Sequence, residues 1–330
     1  MSALHLVWQA AAVLVGGGLL GLVYKGFDRK LAARMQARIG PPLRQPFLDV
    51  GKLLVKESVV PKDAVGWLFR AMPFLAFVAS FTVLLYLPWG PFPAVFHGYG
   101  DLILVLYLLA VPALAMALGG FASGSPLATV GAQREIVMLM SYEFPLAVAV
   151  VGVVWRVATL GGGPAFSLAA IVAAPLWAQV GPLGVIGLAI LAACLLIVTP
   201  AELSKIPFDI PEAETEIAGG LMVEYSGTYL ALFYLADAAK TIAMAALVVT
   251  LFAPYGIGGL LGLSGAGAQA VDLAFHLLKI FVVMFAAVTA VRVAMARLKV
   301  DQVARGFWIQ ITAVAVAGLV LLVLDRMVAA

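Results

Sequence analysis

Residues 101–121 read DLILVLYLLAVPALAMALGGF. After Asp101 the stretch carries no charge to its end. At 1.5 Å per residue a helix of about 20 residues rises about 30 Å, the hydrocarbon thickness of a bilayer. The stretch therefore reads as a membrane-spanning helix. Runs of the same character lie near 4–24, 68–89, 136–158, 183–200, 228–252, 273–296 and 306–325. The expected fold class is all-α: a polytopic membrane protein with about eight transmembrane helices. Composition agrees. Of 330 residues, 64% are hydrophobic and 11% charged, with mean hydropathy +1.10. A water-soluble domain carries roughly a quarter charged residues. The stretch 164–177, PAFSLAAIVAAPLW, is too short to span and reads as a re-entrant or surface helix.

Several chemistries are excluded early. A single cysteine, Cys194, can form neither an internal disulfide nor a cysteine-based metal site. The histidines, at 5, 97 and 276, have no ligand spacing. No glycine-rich dinucleotide fingerprint and no cysteine cluster is present, so this chain is expected to bind no redox centre, metal or nucleic acid itself.

Lys and Arg set the orientation. The connection after the first run carries Lys25, Arg29, Lys30, Arg34, Arg38, Arg44, Lys52, Lys56 and Lys62. The third connection has Arg134, and the seventh has Arg297, Lys299 and Arg305. The second and sixth have none. Basic residues mark loops that stay in the cytoplasm, so the odd connections face it and both termini lie on the other side of a cell inner membrane. The opening run lacks the basic n-region of a signal peptide and reads as a first span.

The first cytoplasmic connection, within 27–67, contains PFLDVGKLLVKE at 46–57. Phe47, Val50, Leu53 and Leu54 line one helical face, and Asp49, Lys52 and Lys56 line another. That is an amphipathic interfacial helix in contact with the lipid surface. Gly40-Pro41-Pro42 before it fixes a sharp turn, which a simple anchor does not need.

The fifth connection, 201–227, is acidic. Residues 207–227 read PFDIPEAETEIAGGLMVEYSG, with Asp209, Glu212, Glu214, Glu216 and Glu224 and no Lys or Arg. Asp209 can N-cap a helix starting at Ile210 or Pro211, which puts Glu212 at a capping-box position and Glu214 within reach of the dipole. Glu216 would share a face with Glu212 and repel it. Capping leaves Glu216 and Glu224 unexplained, and crowded carboxylates can titrate near neutral pH. More ionisable groups lie inside the spans: Glu143, Asp237, Lys240, His276, Lys279 and Arg292. Each is expected to face the protein interior and find a partner there. With the loop acids they form a plausible chain of titratable sites, although any one of them could equally be a structural ion pair.

GPPLRQPFLDVGKLLVKE, SYEFPL, AELSKIPFDIPEAETEIAGGLMVEYSG and RLKVDQ occur in order over nearly the whole chain. Together they resemble the H-type (mitochondrial ND-one type) membrane subunit of the respiratory complex I superfamily. The resemblance implies a single membrane domain at the heel of an L-shaped, redox-driven, ion-translocating oxidoreductase. Its neighbours would be hydrophilic redox-arm subunits: an Fe-S subunit and a large subunit carrying either a quinone site or a NiFe centre. Small membrane subunits and antiporter-like subunits would complete the membrane arm. Flavin, Fe-S or NiFe centres would sit in those partners, and quinone could bind at the interface. By position, Glu143, Glu202, Asp209, Glu212, Glu214, Glu216 and Glu224 match the family's acidic proton path, joined by Asp237, Lys240 and Lys279. Arg29, Arg38, Asp49, Lys52, Lys56 and Glu57 match the loop that lines the chamber and docks the redox arm. Arg134-Glu135, in the third connection, joins that chamber-lining or docking set and is similar to energy-converting membrane-bound NiFe hydrogenases and formate hydrogenlyases, which need no quinone. The resemblance leans to this hydrogenase-like branch, with the NADH-quinone oxidoreductase branch still open. A free-standing secondary transporter would show inverted repeats, and none is evident. A structural anchor would leave Glu143 and the seventh-span polar residues without a role.

Overall fold

A computed structural model describes residues 3–161, 164–174 and 176–329 of the chain. Among them eight helices are long and apolar enough to cross a membrane. They are α1 (Ala3–Met35), α3 (Gly66–Tyr86), α4 (Leu102–Ala122), α5 (Pro126–Thr159), α7 (Pro182–Glu202), α9 (Gly227–Phe252) and two composite spans. The seventh stacks α10 (Gly265–Met284), a π-helical turn (Phe285–Ala290) and α11 (Val291–Ala294). The eighth stacks α12 (Val300–Arg305), a second π-helical turn (Gly306–Ile311) and α13 (Thr312–Ala329). Three short helices complete the fold: α2 (Gln45–Val55), α6 (Leu168–Ala173) and α8 (Glu214–Ile217). Pro175, inside the expected short helix at 164–177, lies outside the described residues.

The bundle is built around α9, whose most apolar window is 89% buried, against 22% for α1 and for the eighth span. α9 is flanked by α1, α2, α3 and α10, while α5 and α7 pack with α13 on the other side. α1 approaches α9 closely at Gly21, where a Cβ would run into the carbonyl of Ala238. Prolines 73, 112, 145 and 200 sit inside spans; at Pro73 the freed Phe69 carbonyl accepts from the Tyr225 hydroxyl of the neighbouring segment at 3.1 Å. The opening stretch forms α4 as expected, and Asp101 caps it by accepting from the Leu104 amide at 3.0 Å.

The structure moves several boundaries. α1 does not stop at 24. It runs unbroken to Met35, because helical hydrogen bonding continues where the apolar run ends, and it carries Lys25, Asp28, Arg29 and Arg34. α5 starts ten residues before 136, at Pro126, so Arg134 and Glu135 lie within a helix rather than in a connection. α10 starts at Gly265, ahead of 273.

The largest departure is in the acidic segment. No helix begins at Asp209. Ile210–Glu212 is a single 3-10 turn, Ala213 is extended, and α8 is four residues long. Asp209 makes no capping bond. It is held instead by Arg297, which donates from Nε at 2.8 Å and also from a terminal nitrogen. Glu212 closes a 3-10 turn while Glu214 and Glu216 open the four-residue α8, so Glu212 and Glu216 do not share a helical face. Ala218, Gly219 and Gly220 then take φ of 51°, 93° and 49°, a left-handed run that ends the segment as the paired glycines suggest.

Candidate functional site

The α2 and acidic segments lie at the same end of the bundle, the end that the basic-residue count assigns to the cytoplasm. Bordered by the acidic segment, and joined to α2 through Arg29 and Asp49, is a cavity of about 380 Å³. One wall is apolar, formed by Ala76, Pro112, Met116, Leu230 and Phe233. The other is charged. It comes from the overrun of α1 (Lys25, Asp28, Arg29), from the segment after α7 (Lys205, Glu212), from α9 (Asp237, Lys240) and from α11 (Arg292).

The charges are arranged in discrete sets. Asp237 is gripped from two sides, by Lys25 at 2.9 Å and Lys205 at 2.8 Å. Lys25 also donates to the Tyr234 carbonyl at 2.9 Å. Although Lys240 is close to Asp237 in sequence, it pairs with Glu202, at 2.8 Å and off the line of an ideal hydrogen bond. Both side chains of this pair are almost fully enclosed, at 4% and 2% exposure. A third set was not legible in sequence. Asp28 accepts from Arg292 at 2.7 Å and from the Thr289 hydroxyl at 2.8 Å, and Thr289 also meets the Tyr24 hydroxyl at 3.1 Å. Thr289 reaches Asp28 from the π-helical turn, whose extra residue shifts the helix face.

Around the cavity, Arg29 holds Asp49 at 2.7 Å and ties α1 to α2. Burial by itself would raise the Asp49 carboxyl, but hydrogen bonds from Arg29 and Gln45 hold it below its ordinary value. Arg134 pairs with Glu216 at 2.6 Å and clamps α8 to α5. Glu135, on the same helix, is buried at 1% exposure. It accepts weakly from Ser204 at 3.4 Å, and its Oε1 has no hydrogen-bond partner. A residue expected to face a docking partner is therefore inside, beside the Glu202 pair.

Not all expected members join the set. Glu212 faces the cavity, and its removal from water raises its carboxyl above the ordinary value; Lys205 pulls the other way. Burial would lower the Lys205 ammonium, but Asp237 and Glu212 beside it raise it instead. Glu214 borders the cavity but is exposed. Glu216, half exposed and already paired, and Glu224, which has no ion-pair partner among the described residues, stand at its edge or beyond. Lys279 is remote, with its ammonium donating to the carbonyls of Ala253 and Tyr255 at 2.6 and 2.7 Å near the opposite end. His276 is buried, and its Nε2 is unpartnered. Glu143 is exposed on α5 rather than buried, while remaining within electrostatic reach of Lys240 and Glu202. Arg38, Lys52, Lys56 and Glu57 are exposed on and around α2, open to an approaching surface. Among the described residues no group of three or more His, Cys, Asp or Glu side chains could hold a metal ion.

The family model described as NADH dehydrogenase matches residues 8–323. The H-type subunit of the NADH-quinone oxidoreductase of Brevibacillus brevis is 35% identical over 309 residues, covering 90% of this chain and 87% of that protein. Hydrogenase-4 component C of Escherichia coli is 35% identical over 255 residues, covering 76% and 77%. Among solved structures, a chain of the membrane-bound sulfane sulfur reductase, an archaeal respiratory membrane complex, superposes with a TM-score of 0.83. It is 28% identical, and the match covers 96% of this chain and 99% of that one.

Proposed function

The chain belongs to the NADH dehydrogenase family, and from that premise we propose that it couples electron transfer in a docked redox arm to ion movement in the membrane. It is the membrane subunit at the junction of the two arms of a complex I-like assembly, and it holds no redox centre of its own. The inner membrane is its location, and the α2 end faces the cytoplasm. The observation that carries this reading is the cavity where three loop-end elements bring Lys25, Lys205, Asp237 and Glu212 together. Asp237 balances two ammonium groups, so any change of charge nearby alters which partner it favours. The acidic segment borders that cavity, and the exposed basic face of α2 is joined to its wall through Asp49 and Arg29, where a redox subunit would sit.

A quinone is the group that the NADH-quinone oxidoreductase relatives imply by name. The residues present fit one. The apolar wall would take its ring, and Lys25 and Lys205 could donate to its carbonyl oxygens. The group would supply two-electron, two-proton chemistry when bound. A second reading is supported by the 35% identity to hydrogenase-4 component C and by the buried Glu135 next to Arg134. In that reading the same coupling role serves a hydrogenase-type partner without quinone.

The test uses the assembled complex in sealed vesicles and measures ions moved per electron. Asp237→Asn and Lys205→Met should lose most of the ion movement while partner redox turnover persists. Glu216→Gln and Glu224→Gln, at the cavity edge, should keep it. Full stoichiometry in both of the first two variants would overturn the proposal.

A further inference from the structure

Between Lys240 and Asp272 the chain carries no charged residue. Within that stretch, 253–264 joins α9 to α10 through turns rather than a helix. The tip of this loop sets three leucines outward: Leu260 is 87% exposed, Leu261 61% and Leu263 43%. Tyr255, at the base, is exposed as well. Clustered apolar side chains of this kind mark a surface made for something other than water.

The backbone of the same loop is satisfied from within. The Trp177 indole donates to the Phe252 carbonyl at 2.6 Å. Lys279 donates to the carbonyls of Ala253 and Tyr255, and its ammonium also lies 4.9 Å from the centre of the Phe275 ring. One oxygen of Asp272 accepts from the amides of Ile257 and Gly258, both at 2.7 Å. The Leu261 and Leu263 amides return to the Gly258 carbonyl, and the Gly262 amide to that of Gly259. Peptide groups of a loop in water can bond to water, whereas those next to hydrocarbon must be satisfied by protein. Height agrees with the second case. Gly90, four residues past the end of α3, closes on His276 and Leu273. The outer end of the bundle is therefore at this turn of α10. Lys279 lies just inside it and Asp272 just outside, so the two clamps straddle the boundary between hydrocarbon and headgroups.

We propose that the loop 253–264 is seated in the lipid of the non-cytoplasmic leaflet, its leucine tip resting at the boundary of headgroups and acyl chains. Lys279 and Asp272 are positioning residues that hold its backbone in a shape fit for that layer. The choice of leaflet rests on the orientation read above. The occupant is lipid because of what the tip offers. It presents leucines and glycines, no charge, and a backbone whose hydrogen-bonding groups already turn inward. A specific protein interface carries about one hydrogen bond per 100–200 Å² to fix its register. Acyl chains require none, and an apolar surface dipping about 5–10 Å into the boundary layer is enough to bind them. Lys279, remote from the cavity, thereby gains a role that its charge alone did not explain.

The experiment uses the whole complex in sealed, right-side-out vesicles. Leu260→Cys, Leu263→Cys and, as the reference, His97→Cys on the other outer connection are treated with a membrane-impermeant maleimide. All three positions are exposed on this chain. Positions 260 and 263 should react at least about tenfold more slowly than 97, the smallest factor expected for holding a large apolar side chain out of water. Adding Asp272→Ala to Leu260→Cys should free the tip and bring its rate towards that at 97. p-Benzoylphenylalanine at position 260 should give adducts to phospholipid on irradiation. Equal rates at 260 and 97 would overturn the proposal, and so would adducts to a protein subunit in place of phospholipid. A rate at 260 that Asp272→Ala leaves unchanged would overturn it too. Failure of the orientation reading looks different: position 97 would then react only in inverted vesicles, where the ratio of 260 to 97 still decides whether the loop is seated in lipid.

Discussion

The Lys240–Glu202 pair allows a worked prediction, because among the described residues no other ion pair is so enclosed. Lys240→Met leaves a carboxylate with no counter-ion in a site 2% exposed. Breaking a buried pair by removing one member costs about 3–5 kcal/mol. The cost has a ceiling, because the stranded group can change its protonation instead. Taking a carboxyl of ordinary value about 4.3 to its neutral form at pH 7 costs about 2.7 units, or roughly 3.7 kcal/mol. At pH 5 the same step costs only about 1 kcal/mol. Glu202→Leu strands the ammonium, and here the ceiling at pH 7 is about 4.6 kcal/mol, from an ordinary value near 10.4. The double variant strands neither and should fall within about 1 kcal/mol of the parent, since apolar replacement of a buried pair is often neutral. Equilibrium unfolding of the purified protein in mixed micelles at pH 5 and 7 measures all three. The reasoning fails if Lys240→Met costs the same at both pH values. It also fails if the double variant costs the sum of the singles.

Other outcomes follow from the same geometry. Glu212 has its folded-state carboxyl raised above the ordinary 4.5, so its contribution is most favourable when protonated and is lost as pH rises through that window. Glu212→Gln should therefore flatten the fall in stability with rising pH above about 4.5, read from unfolding midpoints across the range. Gly21→Val would push a side chain into the Ala238 backbone and should destabilise by at least about 1–3 kcal/mol, seen as a lowered midpoint in the same assay. Asp49→Asn removes a part-exposed ion pair with Arg29. It should cost only about 0.2–1 kcal/mol while raising protease cleavage between α1 and α2.

Eight spans were legible because a bilayer demands long uncharged helices, and DLILVLYLLAVPALAMALGGF admits no other reading. Their ends were less so. Hydropathy reports where lipid stops, and α1 continues for three turns past that point on charged residues. The site divides in the same way. Residue type and family resemblance singled out Glu202, Glu212, Asp237 and Lys240, all of which line the cavity. Their pairings were hidden, because Lys25 and Asp237 are joined only by the packing of α1 on α9. The emphasis on Glu216 and Glu224 rested on a helix beginning at Ile210. That segment makes one 3-10 turn and stops, which leaves the capping argument without a helix. The network of Tyr24, Asp28 and Thr289 needed the π-helical turn, and an insertion of that kind has no pattern in hydropathy. Among the quoted motifs, only the Lys-Ile-Pro-Phe-Asp segment could have pointed to Lys205 as a cavity residue.

The uninterrupted length of α1 has a mechanical consequence. A rod of 33 residues is about 50 Å long, and it contains no proline at which to bend. Its overrun is gripped by α2 through Arg29 and Asp49, and it presents Lys25 to Asp237 one turn away on the same rod. A partner that presses on α2 thus pushes on a stiff lever pivoting where Gly21 bears on α9. With so short an arm between pivot and Lys25, a tilt of a few degrees becomes a displacement of tenths of an ångström. That is enough to lengthen one of Asp237's two contacts relative to the other, so force applied at the surface is converted into a change of charge balance inside.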